Sequence, residues 1–229
     1  MGNIILSPSN MSTYRDCPLR FYGSSVIKDI PYKASASKSR GMVIHTNLEK
    51  CLRLGWQDDI SWDDTFCKSY AWSKVEIARE RCATHSLFIE HEMAINKAAS
   101  KCGWWDEDAL LRAKADAIFV PKANAADPRI HLIDIKTGRK WDDDDFQLRV
   151  ECLLAHIIYQ VPKVHYEYWY VDTGQTVDGV IDFTNGLTPV QDIYDLMHDM
   201  LASIKTQYFP RQPNKFCKWC AYYKTEKCR

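Results

Sequence analysis

The sequence predicts an α/β protein with a mixed central sheet flanked by helices. Two apolar segments, at 110–120 and 132–138, alternate in the manner of β-strands. Segments with apolar residues at helical spacing lie on either side of them in the chain, as at 41–52 and 146–160. With 229 residues the chain is long enough to bury a hydrophobic core, so these elements can form a layered α/β fold.

The strand that ends at Gly138 carries the clearest chemical signal. Ile133 and Ile135 are predicted to lie on one face of this strand, and Asp134 and Lys136 on the other. Burying either charge alone is costly, so the carboxylate and the ammonium group need each other, a metal ion or a ligand. The glycine favours a sharp turn where the strand ends.

A second acid, Asp116, interrupts the strand pattern of 110–120, and the polar segment 122–129 is typical of a hairpin loop. Two acids and a lysine on adjacent antiparallel strands indicate phosphodiester hydrolysis with Mg²⁺ or Mn²⁺, which prefer oxygen ligands. In this interpretation Asp116 and Asp134 hold the metal ion. Lys136 orients the attacking water or stabilises the charge of the transition state. The simpler alternative is an Asp–Lys ion pair on a half-exposed strand.

The N-terminal part is predicted to be helical. Ser7 or Ser9 can cap a helix over 10–22, which Pro18 should interrupt after Cys17.

Two further helices are predicted at 41–52 and 62–83, and the first of them carries His45. A lone histidine on such a helix is usually a core residue. The alternating pattern at 87–96 predicts a strand whose odd-numbered residues share one face throughout.

Beyond Gly138, four acids at 142–145 precede the helix at 146–160 and are interpreted as a helix cap with a solvated turn. Gln147 lies on the first turn of this helix. The chain is then predicted to continue with a hairpin of two strands and a last helix, at 163–172, 175–183 and 189–206.

Composition places few limits on the partners. The 30 basic and 30 acidic side chains give no net charge, which neither indicates nor excludes a nucleic acid. No apolar segment is long enough to span a bilayer and no signal peptide is recognised, so no membrane association is expected. Nine cysteines fit a reducing compartment, and we expect a cytoplasmic protein, in the host cytoplasm if it is viral.

The C-terminal cysteines have the spacing of a metal site. Cys217 and Cys220 form a C-x2-C pair, which lets two thiolates converge on one metal, and Cys228 follows after a short gap. A fourth ligand must then come from elsewhere in the chain. Cys51, Cys67, Cys82, Cys102 and Cys152 show no such spacing.

Taken in order, these motifs resemble the RecB-like nucleases of the PD-(D/E)xK superfamily. The opening LSPSNMSTYRDCPLRFYG is similar to their serine-capped helix and CPxxF/Y segment, and GMVIH to their Gly-x-x-x-His helix. The resemblance covers nearly the whole chain, with its motifs at 7–22, 41–49, 110–118, 132–138, 147 and 217–228.

The resemblance implies roles for specific residues. The metal ligands would be His45, Asp116, Asp134 and the carbonyl group of Ile135. Lys136 would assist the attacking water, and Gln147 would help to place the DNA strand. The family's Q-x-x-x-Y motif has tyrosine four positions after the glutamine, where this chain has Glu151.

Among these nucleases the chain further resembles those with an iron–sulfur cluster, namely the AddB nuclease domain and the CRISPR-associated RecB-like exonucleases. This resemblance implies a 4Fe–4S cluster that joins the two ends of the chain, with Cys17 as the fourth ligand. Zinc bound by the same cysteines, or cysteines without a metal, are the open alternatives.

The expected protein is therefore one nuclease domain over 1–229. Its helical part would cover about 1–85, its sheet core about 86–185, and its C-terminal helix with the cysteine cluster about 186–229. The expected activity is that of a metal-dependent DNA exonuclease acting on single-stranded DNA or DNA ends. A protein partner such as a helicase or recombination factor is a further expectation, and the oligomeric state is left open.

Two alternatives come from other functional classes. One is a non-catalytic subunit that binds DNA ends or has a structural role. The other is a protein-interaction module with a zinc-ribbon tail.

Overall fold

The computed structural model contains a five-stranded mixed sheet with helices packed on both of its faces. It describes residues 4–30, 36–62, 65–123, 125–138 and 145–228, without the side chains of 36–39. The strands are β1 His85–Asn96, β2 Ala109–Pro121, β3 Ile130–Lys136, β4 Lys163–Tyr170 and β5 Gln175–Asp182. They lie side by side in chain order, with β3 and β4 parallel and the other pairs antiparallel. The predicted α/β class is confirmed.

The helices are α1 Pro8–Asp16, α2 Pro18–Phe21, α3 Ala36–Leu54, α4 Thr65–Arg81, α5 Phe146–Tyr159 and α6 Gln191–Thr206. Ser7 caps α1, because its side chain accepts from the amide of Asn10 while the Asn10 side chain accepts from the amide of Ser7. Cys17 is extended between α1 and α2, and Pro18 opens the new helix. The predicted interruption after Cys17 is therefore confirmed. No helix in the described part of the chain is both long and apolar enough to cross a membrane.

Only the last residue of the acidic run before α5 lies in the described part of the chain. The residues at 142–144 lie outside the described residues. Asp145 occupies the N-cap position, but its side chain makes no capping hydrogen bond. Asp145 is thus an exposed residue at the predicted cap position, where its charge lies at the N-terminal end of α5.

Two buried clusters fill the two faces of the sheet. The first contains residues of α1, α5 and α6, and the second contains residues of α3 and α4. Leu132 of β3 lies in the first cluster, whereas Ile133 and Ile135 lie in the second. The predicted alternation of β3 is confirmed, and Asp134 and Lys136 share the side of Leu132.

The alternation reverses along β1, and there the sequence prediction is wrong. Leu87 packs against the second cluster and Met93 belongs to the first, although both are odd-numbered. Between them Glu90 has a φ of 53°, in the left-handed region. The paired strand β2 reverses at the same level, since Ala115 lies in the first cluster and Ala117 in the second. Asp116 therefore occupies the point at which β2 changes face.

Candidate active site

The two acids predicted from sequence stand where β2 and β3 separate. The pairing of these strands ends at Ala117 and Ile133, one residue before Asp116 and Asp134 would face each other. In place of the next ladder hydrogen bond, the backbone amide of Ile135 donates to Oδ2 of Asp116 at 2.6 Å. The widening between the strands thus gives both carboxylates room at the edge of the core.

His45 is brought to Asp116 by helix α3. Its Nδ1 lies 3.4 Å from Oδ1 of Asp116, and the histidine side chain remains 32% exposed. Gly41, one turn earlier, allows this approach: a Cβ atom there would lie 3.0 Å from Oγ1 of Thr137, just beyond β3. The glycine of the Gly-x-x-x-His segment therefore lets the helix pack closely against the end of β3.

The environment of His45 favours its charged form. Burial alone would lower the pKa of His45, but the hydrogen bond and negative charge of Asp116, with Asp134 beyond, raise it above its usual value. A metal ion bound by this imidazole must therefore displace a proton that the two acids help to retain.

Asp134, Lys136 and Gln147 form a connected network. Nζ of Lys136 lies 2.7 Å from Oδ2 of Asp134 and donates to Oε1 of Gln147 at 3.1 Å. The amide nitrogen of Gln147 in turn donates to Oδ1 of Asp134 at 2.7 Å. Gln147 thus links the first turn of α5 to both charged residues of β3.

The network includes a third acid that the sequence analysis did not assign to the site. The amide nitrogen of Gln147 also donates to Oε1 of Glu151 at 2.9 Å, and Glu151 is only 1% exposed. Its other oxygen has no hydrogen-bond donor among the described residues. The sequence did carry a signal for this role, because Glu151 is an acid in the apolar stripe of α5, one turn after Gln147. The tyrosine that follows Glu151 in α5, Tyr159, lies two turns further on and is hydrogen-bonded to His91.

The site brings three carboxyl groups together around one lysine and one histidine. The pKa of Asp134 is raised to about 6, mainly by burial; Lys136 opposes this shift and the nearby Asp116 adds to it. Burial and the charge of Asp134 also raise the pKa of Glu151 well above its usual value. A divalent cation would offset the repulsion between these carboxyl groups when they ionise, and carboxylate and imidazole groups are suitable ligands for it. The residues present therefore fit a divalent metal ion.

The raised pKa of Glu151 leads to a prediction about stability. Folded protein retains a proton on Glu151 that the unfolded chain releases, so the free energy of unfolding should fall as pH rises above the ordinary range of glutamate. In Glu151→Gln this loss should be smaller, by about 1.4 kcal/mol for each unit of pKa shift removed. Urea denaturation in EDTA at pH 5 and pH 8 measures the effect. Glu80→Gln, at an exposed position of α4, is the control. Identical pH dependence in Glu151→Gln and wild type would contradict the prediction.

The four predicted cluster cysteines line one cavity of about 280 Å³. They are Cys17, Cys217, Cys220 and Cys228. Backbone amides donate to two of the sulfur atoms: Gln212 to Cys17 at 3.4 Å and Asn214 to Cys217 at 3.1 Å. The side chain of Asn214 also donates to the carbonyl oxygen of Asp16 at 2.8 Å, which connects the C-terminal segment to the end of α1.

The five other cysteines are separate from this cavity. Among the residues that the structure describes, Cys51, Cys67 and Cys152 are buried, Cys82 and Cys102 are partly buried, and none forms a disulfide. Of the nine cysteines, four therefore line this cavity and five lie elsewhere.

Comparison with known proteins shows the family to which this chain belongs. Residues 5–225 match the PD-(D/E)XK nuclease superfamily, and the chain belongs to that superfamily of metal-dependent nucleases. The crystal structure of SSO0001 is similar, with 15% sequence identity, a TM-score of 0.49, and coverage of 97% of this chain and 85% of that chain. No curated protein matches the sequence.

Proposed function

We propose that this protein is a RecB-like, divalent-metal-dependent deoxyribonuclease acting as an exonuclease on single-stranded DNA or DNA ends. The convergence of His45, Asp116 and Asp134 at the gap between β2 and β3, beside Lys136, carries this proposal. These are the residue types that phosphodiester hydrolysis requires, and they come from three separate elements.

Each residue has a distinct role in the proposed reaction. His45, Asp116, Asp134 and the carbonyl group of Ile135 hold Mg²⁺ or Mn²⁺, which when bound polarises the phosphate and lowers the pKa of water.

Lys136 lies beside these ligands, where its ammonium group orients the attacking water and offsets the negative charge that develops on the phosphate. Gln147 fixes the position of Lys136 by accepting its hydrogen bond, and contributes to the placement of the DNA strand.

A groove next to the site supports a single-stranded substrate. It has a volume of about 640 Å³ and extends from Gln147 and Glu151 to Trp104 and Arg112. The guanidinium group of Arg112 lies 4.7 Å from the ring centre of Trp104 and 5.2 Å from that of Trp105. Trp105 is 80% exposed, and an exposed aromatic ring beside cationic groups suits stacking on unpaired bases. Arg15 adds positive charge to the wall of the groove, where Lys114 also lies in an ion pair with Glu90.

The cysteines support assignment to the iron–sulfur RecB-like nucleases. Thiolates on one tetrahedral zinc ion, with Zn–S near 2.3 Å, would be about 3.8 Å apart. No three of the four sulfurs lie within 4.8 Å of one another, as judged over the described residues. Four cysteines around one cavity leave room for a 4Fe–4S cluster, which would supply a rigid cross-link between distant segments.

The function is tested on four DNA substrates: linear and circular single strands, and linear and closed circular duplexes. With Mg²⁺ or Mn²⁺, the linear single strand should be degraded progressively while both circles stay intact, and EDTA should stop the reaction. Lys136→Ala is the control for contaminating nuclease. DNA-end binding without cleavage in either metal would contradict the proposal and favour the non-catalytic alternative.

The role of His45 gives a separate prediction. Its imidazole must lose a proton to bind metal, so the metal concentration needed for half-maximal activity should rise as pH falls through the titration range of His45. Above that titration range His45→Ala should need about tenfold more metal or more, and the difference from wild type should shrink as pH falls. Its metal requirement should also depend less on pH. The partly buried His156, which bonds the carbonyl oxygen of Val161, provides a matched control as His156→Ala. An unchanged metal requirement in His45→Ala would make His45 an ordinary core residue.

A further inference from the structure

Two histidines on adjacent parallel strands face each other on the sheet face opposite to Asp134. His131 of β3 pairs with His165 of β4, and their Nδ1 atoms are 3.0 Å apart. His131 is 7% exposed and His165 is partly buried. No step of the proposed nuclease reaction involves either residue.

The partners of these histidines determine which nitrogen carries the proton. Nε2 of His131 lies 3.2 Å from Oδ2 of Asp127, and Nε2 of His165 lies 3.0 Å from Oδ2 of Asp178. An ionised carboxylate only accepts hydrogen bonds, so each imidazole must donate from Nε2. Each neutral ring then has a lone pair on Nδ1. The two lone pairs point at each other at hydrogen-bond distance, which is repulsive unless a cation or a proton lies between them.

A third ligand atom adjoins the pair. Oε1 of Glu167 lies 3.7 Å from Nδ1 of His165, and the three ligand atoms of His131, His165 and Glu167 lie within 4.8 Å of one another. Glu167 is 4% exposed. Arg81 also contacts Oε1, and Trp169 donates to Oε2 at 2.9 Å. Beside this ion pair, Oε1 has no hydrogen-bond donor among the described residues, so its lone pairs can face the two nitrogens.

We infer that His131, His165 and Glu167 form a second metal site, for a transition-metal ion of the Zn²⁺ class. Two nitrogens bound to one tetrahedral zinc ion at about 2.0–2.1 Å are about 3.3 Å apart, close to the observed separation. Imidazole favours zinc and related ions over Mg²⁺. Carboxylates that accept from the outer nitrogen of each histidine, as Asp127 and Asp178 do, are the usual support of metal-binding histidines. The ion would join β3 to β4.

The site is tested by Zn²⁺ binding to the full-length protein after removal of loosely bound ions, with any cysteine-bound metal left in place. Competition with a chromophoric chelator measures the number of zinc equivalents and their affinity. His165→Asn should bind one equivalent fewer than wild type, and Glu167→Gln should bind that equivalent at least about tenfold more weakly. His85→Asn is the matched control. His85 is a neighbouring buried histidine, with Nδ1 bonded to Thr84 and Nε2 to the carbonyl oxygen of Arg129.

A second measurement needs no variant and therefore no assumption about folding. In ¹⁵N-labelled wild-type protein, added Zn²⁺ should shift the Nδ1 resonances of His131 and His165 while both rings keep the proton on Nε2. Equal zinc binding by wild type and His165→Asn would overturn the inference. So would a proton shared between the two Nδ1 atoms at saturating Zn²⁺. Neither readout involves DNA cleavage, so the inference stands or fails independently of the proposed nuclease activity.

Discussion

Asp134→Asn is expected to lower the rate of metal-dependent DNA cleavage by about two orders of magnitude or more. The substitution keeps the shape of the side chain but removes a negative charge that lies 2.7 Å from Nζ of Lys136. Since Asp134 is only 4% exposed, water cannot easily replace the lost carboxylate. Initial rates on linear single-stranded DNA across a range of Mg²⁺ and Mn²⁺ concentrations measure the effect.

Two further variants and one control make this result specific. Asp116→Ala and Lys136→Ala should lose activity to a similar extent, because the proposed site needs both acids and the lysine. Asp182→Asn changes an exposed aspartate at the end of β5 and should cleave like wild type. Circular dichroism establishes that each protein is folded. Wild-type cleavage by a folded Asp134→Asn protein would place the active site elsewhere.

Cys17→Ala is expected to remove the colour of anaerobically purified protein and to destabilise the whole fold. A cluster held by Cys17 and the three C-terminal cysteines would close a loop over almost the entire chain. Closing such a loop restricts the unfolded chain and, by analogy with disulfides, contributes on the order of a few kcal/mol. Wild-type protein should be brown, as expected of a thiolate-ligated iron–sulfur cluster.

The comparison of cysteine variants separates three alternatives for these cysteines: a 4Fe–4S cluster, a zinc ion, or no metal. Cys220→Ala should behave like Cys17→Ala, whereas Cys102→Ser, at a partly buried cysteine outside the cavity, should keep the colour. Iron and zinc analysis with thermal denaturation completes the test. Colourless protein from which Cys17→Ala removes one zinc ion would exclude the cluster and retain the cross-link. Metal-free protein that is equally stable after Cys17→Ala would exclude both.

The sequence alone was sufficient for β3, the strand that carries Asp134 and Lys136. Alternation along β3 placed Asp134 and Lys136 on one face and Ile133 and Ile135 on the other, as the structure confirms. The period of a strand is local, so it can be recognised without knowing what packs against it. The break at Pro18 was also predictable, because proline cannot continue a helix hydrogen-bond pattern.

Contacts between distant elements were decided only by the tertiary structure. Gln147 could be placed on the first turn of α5, but its bonds to Asp134 and Lys136 depend on how that helix lies on the sheet. The participation of Glu151 was missed for the same reason: its pattern in α5 indicates burial without revealing the network it joins.

The change of buried face along β1 and β2 was likewise not predictable from the sequence, although it occurs within single strands. A simple alternation predicts one face for Leu87 and Met93, yet the left-handed backbone of Glu90 turns the strand over between them. Nothing in the local pattern marks a non-glycine residue for that conformation. The sequence thus determined the elements and the chemistry they carry. The packing of the helices and the bending of the strands decided which of those groups meet, because such contacts join residues far apart in the chain.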